Sequence, residues 1–174
     1  NEVIVLADFL KALHQHQPQD APYNDHRCLP LSDKSSEVIS KINRLKDTSA
    51  LVDDRLLELW NQAINEPVST KQSLIHGDMH PRNIIINDGK LKAIIDWGDI
   101  TFGDVAPDVA SFWMLFDKAE VRNRGFKHYG ADASLIIRSR GWAIFFATLF
   151  LELGDAAKGE YQMAGERILK NIRS

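Results

Sequence analysis

The chain has 174 residues, 44% hydrophobic and 26% charged, with a formal net charge of −3. That length suits one domain burying roughly 70% of its unfolded surface, and the composition is globular rather than fibrous or low-complexity. The small negative charge gives no bulk pull toward nucleic acid or acidic membranes, and a single cysteine, Cys28, excludes an internal disulfide framework and suits a reducing cytoplasm.

The first residue is Asn1 rather than Met, which fits a piece of something longer. "VIVLADFLKALHQH" sets Val3, Leu6, Leu10 and Leu13 at helical spacing and predicts an opening amphipathic helix. "QPQDAPYNDHRCLPLSD" carries three prolines and no periodicity and reads as a loop. Ser32 stands where it can cap a second helix, which carries Val38, Ile39, Ile42 and Leu45. Leu56, Leu57, Trp60 and Ile64 mark a third helix that ends before Pro67. The middle changes character. "SLIH" is a short apolar strand, and "NIIINDGKLKAIID" predicts a β-hairpin, with β-branched arms around an Asp88-Gly89 turn. Past "FGDVAP" the chain returns to helix, with Asp108 near its start and Val109, Phe112, Trp113 and Phe116 on one face. Ser134 to Glu152 predicts a long helix, apolar on most sides and so central to the core. Its longest apolar run, Trp142 to Leu151, is short of the ~20 residues of a membrane span. A helix near Gln162 to Ile172 closes the chain, and no internal repeat or low-complexity tract occurs.

Polar residues crowd the open end of the hairpin. "HGDMHPRN", His76 to Asn83, enters it, and "IIDWGD" leaves it. Cross-strand neighbours and diagonals lie ~5–8 Å apart, and a bulge can level Asn83 with Asp96 further. Two oxygen-bearing side chains so placed can share one hard cation at ~2.1 Å each. Magnesium fits best, since it accepts few protein ligands and fills its shell with water and phosphate oxygens. Asp78, on the entering loop, can accept a proton from an attacking hydroxyl, a contribution of ~10²–10⁴-fold in rate. An acid that orients the acceptor and two ligands that hold a metal on nucleotide phosphates describe phosphoryl transfer.

These motifs resemble the catalytic and metal-binding loops of the aminoglycoside phosphotransferase family, relatives of choline kinases and protein kinases. Asp78-x-x-x-x-Asn83 is similar to the kinase pattern H-R-D-x-x-x-x-N, with Gly77 at the Arg position. Asp96-Trp97-Gly98 stands where D-F-G would, and "GDVAPDVA" resembles G-D-P-x-x-D-L-A, with Asp108 as its final acid. The likeness runs more loosely through "LADFLKALH" and the helices from "RGWAI" onward. It implies an α+β, mainly α fold: a protein-kinase-like C-terminal lobe, built as a helical bundle with a small hairpin. It implies Asp78 as catalytic base, Asn83 and Asp96 as magnesium ligands, and His76 and Asp108 as braces of the loop. Arg82 would reach the phosphates of ATP or GTP, His80 would steady the loop or contact phosphate, and Asp99 would lie near a second metal. The acceptor would be a hydroxyl of a small molecule. Glu58, Glu152, Asp155 and Glu160 could meet a polycationic aminoglycoside, with macrolides, choline-like alcohols, homoserine and sugars also open. Nucleic acid and membrane are not expected partners, and the location expected is cytoplasmic.

The resemblance has a gap. No glycine precedes Gly77, and no strand-borne lysine does either. Residues 1–174 are therefore expected to form one domain, the C-terminal catalytic lobe, without the β-rich N-terminal nucleotide-binding lobe. Phosphates left open to water lose the low-dielectric setting that strengthens charge stabilisation, so the isolated chain is expected to be inactive or nearly so. Its exposed lobe-facing surface is expected to self-associate. Plainer readings exist for single residues: Asp78 as a loop acid, Asn83 as a turn residue, Asp96 as a strand-end cap, and Asp108 as a helix N-terminal acid favoured by the dipole. Two rival functions follow: a non-catalytic kinase-like binding module, or a metal-dependent hydrolase built on His76, Asp78, His80 and Asp96. Pro81 and the Asp-to-Asn spacing weigh against the hydrolase.

Overall fold

The computed structural model describes residues 1–16, 20, 23–24, 26–69, 71–154 and 159–174. Helix α1 (Glu2–Gln15) buries Val3, Leu6, Ala7, Leu10 and His14, the one-sided stripe expected of an amphipathic helix. Helix α2 (Ser35–Leu45) buries Val38, Ile42 and Leu45. Ser32 does not cap it: the residue lies inside a 3-10 turn, Leu31–Lys34, and its hydroxyl donates to Asp33 instead. Helix α3 (Asp54–Ile64) is capped by Asp53, whose carboxylate accepts from Leu56 N at 3.0 Å.

Strand β1 (Ser73–Ile75) pairs antiparallel with β4 (Thr101–Gly103), Ile75 opposite Thr101. Between them the chain makes its excursion through the hairpin, β2 (Ile84–Asn87) and β3 (Lys90–Ile94). The turn residues Asp88 (φ 51°) and Gly89 (φ 68°) are both left-handed, as a two-residue primed turn requires. The β1–β4 stem therefore brings the start of the excursion, at His76, beside its end, at Asp99.

The helix expected from Asp108 is two short ones, α4 (Ala106–Val109) and α5 (Ser111–Leu115), joined through Ala110. Helix α6 (Ala119–Tyr129) stops at Gly130, in the left-handed region at φ 88°. Helix α7 (Ala133–Leu153) is capped by Asp132 and α8 (Glu160–Asn171) packs along it. By length and composition α7 is apolar enough to cross a membrane, yet 72% of its most apolar window is buried inside the protein. It is the core helix, touching α2, α3, α4 and α8, and its own Phe146 and Phe150 are enclosed, as are Trp60 of α3 and Phe112 of α5. Arg138 reaches from α7 to Asp104 through two hydrogen bonds, at 2.7 and 3.2 Å, and joins the helix to the loop after β4.

Candidate functional site

The loop after β1 is held from below. The Asp108 carboxylate, fully buried, accepts from His76 N at 2.8 Å and from Gly77 N at 2.9 Å. His14 of α1 completes its shell, with Nε2 3.1 Å from the same carboxylate and Nδ1 2.7 Å from the Tyr129 hydroxyl. Burial pushes the Tyr129 hydroxyl pKa far up, and the Asp108 and Asp104 charges add to the effect. The His76 imidazole spans the loop: Nε2 lies 3.0 Å from Ile95 O, and Nδ1 accepts from Asp78 N at 3.3 Å. Gly77 is required by geometry. Its φ is 81°, and a Cβ there would sit 2.7 Å from Asp99 O.

Asp78 projects from this loop and is four-fifths buried. The Arg27 guanidinium lies 2.7 Å from Oδ1, His80 Nε2 lies 3.3 Å from Oδ2, and Asn83 Nδ2 donates to Oδ2 at 3.0 Å. Burial pushes the Asp78 carboxyl up, but the His80 hydrogen bond, the Arg27 and His80 charges and the Asn83 hydrogen bond outweigh it. The group therefore lies below the usual carboxylate range and is ionised at neutral pH.

Asn83 and Asp96 sit where the hairpin opens. Asn83 O accepts from Ile95 N at 2.9 Å, one step beyond the Ile84–Ile94 pair, and a bulge interrupts the register between Ile85 and Ile86. With its amide nitrogen committed to Asp78, Asn83 keeps its amide oxygen without a hydrogen-bond partner among the described residues. Asp96 is exposed, takes the left-handed conformation at φ 62°, and its carboxylate makes no hydrogen bond or ion pair there either. An aspartate held in that region is a modest strain of the kind that gathers at functional sites.

Asp78, Asn83, Asp96, His80 and Arg82 line one cleft of about 410 Å³. Arg82 crosses the Tyr161 ring at 4.5 Å and lies 3.4 Å from Glu160. Asp99 shares the Arg27 guanidinium with Asp78, at 2.8 Å, and accepts from Asn24 Nδ2 at 3.0 Å. Of the acids expected to greet a polycation, Glu58 pairs with Arg55, Glu152 with Lys41 and Arg44, and Glu160 with Arg82. Asp155 lies outside the described residues. No group of three His, Cys, Asp or Glu side chains among the described residues is placed to hold a metal as the hydrolase reading needs, and both His76 ring nitrogens face backbone atoms. Arg27, Asn24 and His14 escape sequence reading: the first two sit in the proline-rich loop, and His14 looks like any residue of a helical stripe.

The sequence profile described as the phosphotransferase enzyme family matches residues 3–142. Aminoglycoside 3′-phosphotransferases of Escherichia coli and of Salmonella typhimurium are each 30% identical over 139 residues, 76% of this chain and 50% of the relative. The chain thus spans about half the length of the curated relatives it matches. Among solved structures, the streptomycin–ATP ternary complex of APH(2″)-IIa superposes with a TM-score of 0.54 at 19% identity, over 96% of this chain and 61% of that one. Macrolide 2′-phosphotransferase type I does so at 0.54 and 18%, over 97% and 58%. At such identities the likeness speaks for the fold alone.

Proposed function

The chain belongs to the phosphotransferase enzyme family, and from that premise we propose that it transfers the γ-phosphoryl group of ATP or GTP to a hydroxyl of a small molecule. The observation that carries this reading is the single cleft onto which Asp78, Asn83 and Asp96 all open. Asn83 and Asp96 offer two unpartnered hard oxygens beside it, a donor set that fits magnesium. When bound, the ion supplies positive charge to the nucleotide's β- and γ-phosphate oxygens.

Asp78 accepts a hydrogen bond from the acceptor hydroxyl and aims its oxygen at phosphorus. Its depressed pKa makes it a weak base. Its main contribution is therefore orientation, with the proton arriving as the new P–O bond forms and the bond to the β-phosphate oxygen breaks; a loose transition state asks for little more. Asp108 and His76 fix the loop from which Asp78 projects. Arg82 contributes positive charge, and His80 a ring nitrogen, for the phosphates along the cleft. Arg27 holds the Asp78 carboxylate in a single orientation.

In this reading residues 1–174 act as the C-terminal catalytic lobe, and the wall that covers the nucleotide belongs to an N-terminal lobe outside them. The lone chain then turns ATP over slowly or not at all. A cytoplasmic location goes with the nucleotide. The names of the relatives bring aminoglycosides and macrolides forward as acceptor classes. The test is calorimetric titration of ATP with and without Mg²⁺, using the chain and its Asp96→Ala variant. Magnesium is expected to strengthen nucleotide binding about tenfold or more in the chain, about 1.4 kcal/mol, and not in the variant. Equal affinity with and without the metal in both would sink the reading.

A further inference from the structure

The contacts that hold the Asp78 loop lead away from the cleft to a second pocket, of about 300 Å³, which shares no lining residue with it. We infer that this pocket binds a small phosphate-bearing anion, and that a ligand there braces the Asp78 loop from behind. Lys71 stands exposed at the pocket and Lys11 half-buried, while His14, Ser73 and Leu135 line it from inside the protein. The volume lies at the lower end of that of small-molecule sites, about 300–1,000 Å³.

Charge selects an anion. Lys11 and Lys71 line the pocket, and among the described residues no Asp or Glu does. Residues 16–19 and 70, which flank this lining in sequence, include no acid either. Acids on neighbouring elements are engaged elsewhere: Asp8 with His128, Asp104 with Arg138, and Asp132 with Leu135 N. Lys11 Nζ donates to His128 O at 2.8 Å and keeps two further N–H groups to give. The Lys71 side chain makes no hydrogen bond or ion pair among the described residues. Two ammonium groups and a hydroxyl at one pocket match the three terminal oxygens and near-double charge of a phosphate better than a carboxylate.

Ser73 supplies that hydroxyl and is an independent sign of a ligand. The residue is 2% exposed, and its Oγ has no hydrogen-bond partner among the described residues. Buried hydroxyls are normally paired, and the pocket that Ser73 lines is where a partner would sit.

The same lining reaches the loop by two routes. The Tyr129 hydroxyl lies 2.7 Å from His14 Nδ1, and His14 Nε2 lies 3.1 Å from Asp108, which accepts from His76 N and Gly77 N. Ser73 begins β1, whose last residue, Ile75, directly precedes His76. An anion held by Lys11, Ser73 and Lys71 joins α1 to β1 at the base of the loop. An opening that parts them must first release it, so the ligand slows that opening by mass action.

The experiment is an amide NMR titration of the 174-residue chain without nucleotide or magnesium, with chloride at matched ionic strength as the control. Inorganic phosphate and phenyl phosphate are the probes, and acetate is the carboxylate comparison. Phosphate is expected to shift the Lys71, Ser73 and Gly130 amides saturably. Lys71→Gln and Ser73→Ala are each expected to weaken binding about threefold to fivefold; the first alters only an exposed side chain and leaves the thermal unfolding midpoint unchanged. At ten times the dissociation constant, exchange of the His76 and Gly77 amides is expected to slow about tenfold. Tighter binding of phenyl phosphate assigns the pocket to a phosphomonoester, and equal or weaker binding assigns it to the free ion; both support the site. Shifts confined to the cleft around Arg82, acetate binding as tightly as phosphate, or unchanged affinity in both variants would overturn it. Unchanged exchange at His76 and Gly77 in the loaded protein would overturn the brace. None of these readouts involves magnesium or ATP, so such failures leave the phosphotransferase reading standing, whereas loss of magnesium-dependent ATP binding strikes that reading and leaves the pocket.

Discussion

Replacing Asp108 by alanine measures how firmly the loop is tied. The carboxylate is fully buried and accepts from His76 N, Gly77 N and His14 Nε2. Alanine leaves all of these without their acceptor, in a space that water can only partly refill. Each stranded buried donor costs about 1–3 kcal/mol. Taking the lower part of that range, because removing a buried charge returns some desolvation free energy, the loss is about 3–5 kcal/mol. With a urea slope of about 2 kcal/mol/M, the unfolding midpoint should fall by about 1.5–2.5 M, followed by tryptophan fluorescence. Amide exchange at His76 and Gly77 should accelerate more than exchange along α7. A midpoint within about 0.3 M of the parent, or unchanged protection of both amides, would refute the hydrogen-bond accounting.

Gly77→Ala should destabilise by about 1–2 kcal/mol from the left-handed backbone alone, with more from the 2.7 Å approach to Asp99 O; thermal unfolding reads it. Acid should unfold the chain below about pH 4. Hydrogen bonds from Arg173, Arg167 and Arg44 hold Asp53, Asp117 and Glu152 below their ordinary values of 3.8, 3.8 and 4.5. Depressed folded values give stability that is present above the unfolded values and lost as pH falls through the folded ones. A circular-dichroism titration should therefore be flat from neutrality to about pH 5 and then drop, and loss beginning near pH 6 would contradict the sign. Ile85, Ile86, Ile95 and Trp97 are all more than one-third exposed around the hairpin, so light scattering should show association that grows with concentration, weakened by Ile86→Lys.

The hairpin was legible because its signal is local: Asp88 and Gly89 tolerate positive φ, and the arms on either side are β-branched. Helices α1, α3, α7 and α8 were legible for a similar reason, a run of apolar residues long enough to show its period. Strand β4 was not. It is three residues long, and its partner β1 precedes it by more than twenty positions, so no window of sequence contains the pair. Helix α6 escaped because it buries little beyond Arg122, Gly125 and Phe126 and shows no apolar stripe. The break at Ala110 and the 3-10 turn at Ser32 are choices of tertiary packing that capping rules do not decide. At the site, the spacing of Asp78, Asn83 and Asp96 anticipated their meeting in one cleft. The contact of Asp99 with Arg27 was not legible, because Arg27 comes from a loop with no pattern at all.

Asp108 binds together parts of the chain that are far apart in order: His14 stands 94 positions before it, and His76 stands 32 before it. Closing loops of that span costs entropy that only the assembled native contacts repay. The loop that carries Asp78 should thus take shape late, after the first helix has docked. A nascent or proteolytically nicked polypeptide would have Asp78 in its sequence and no means of presenting it.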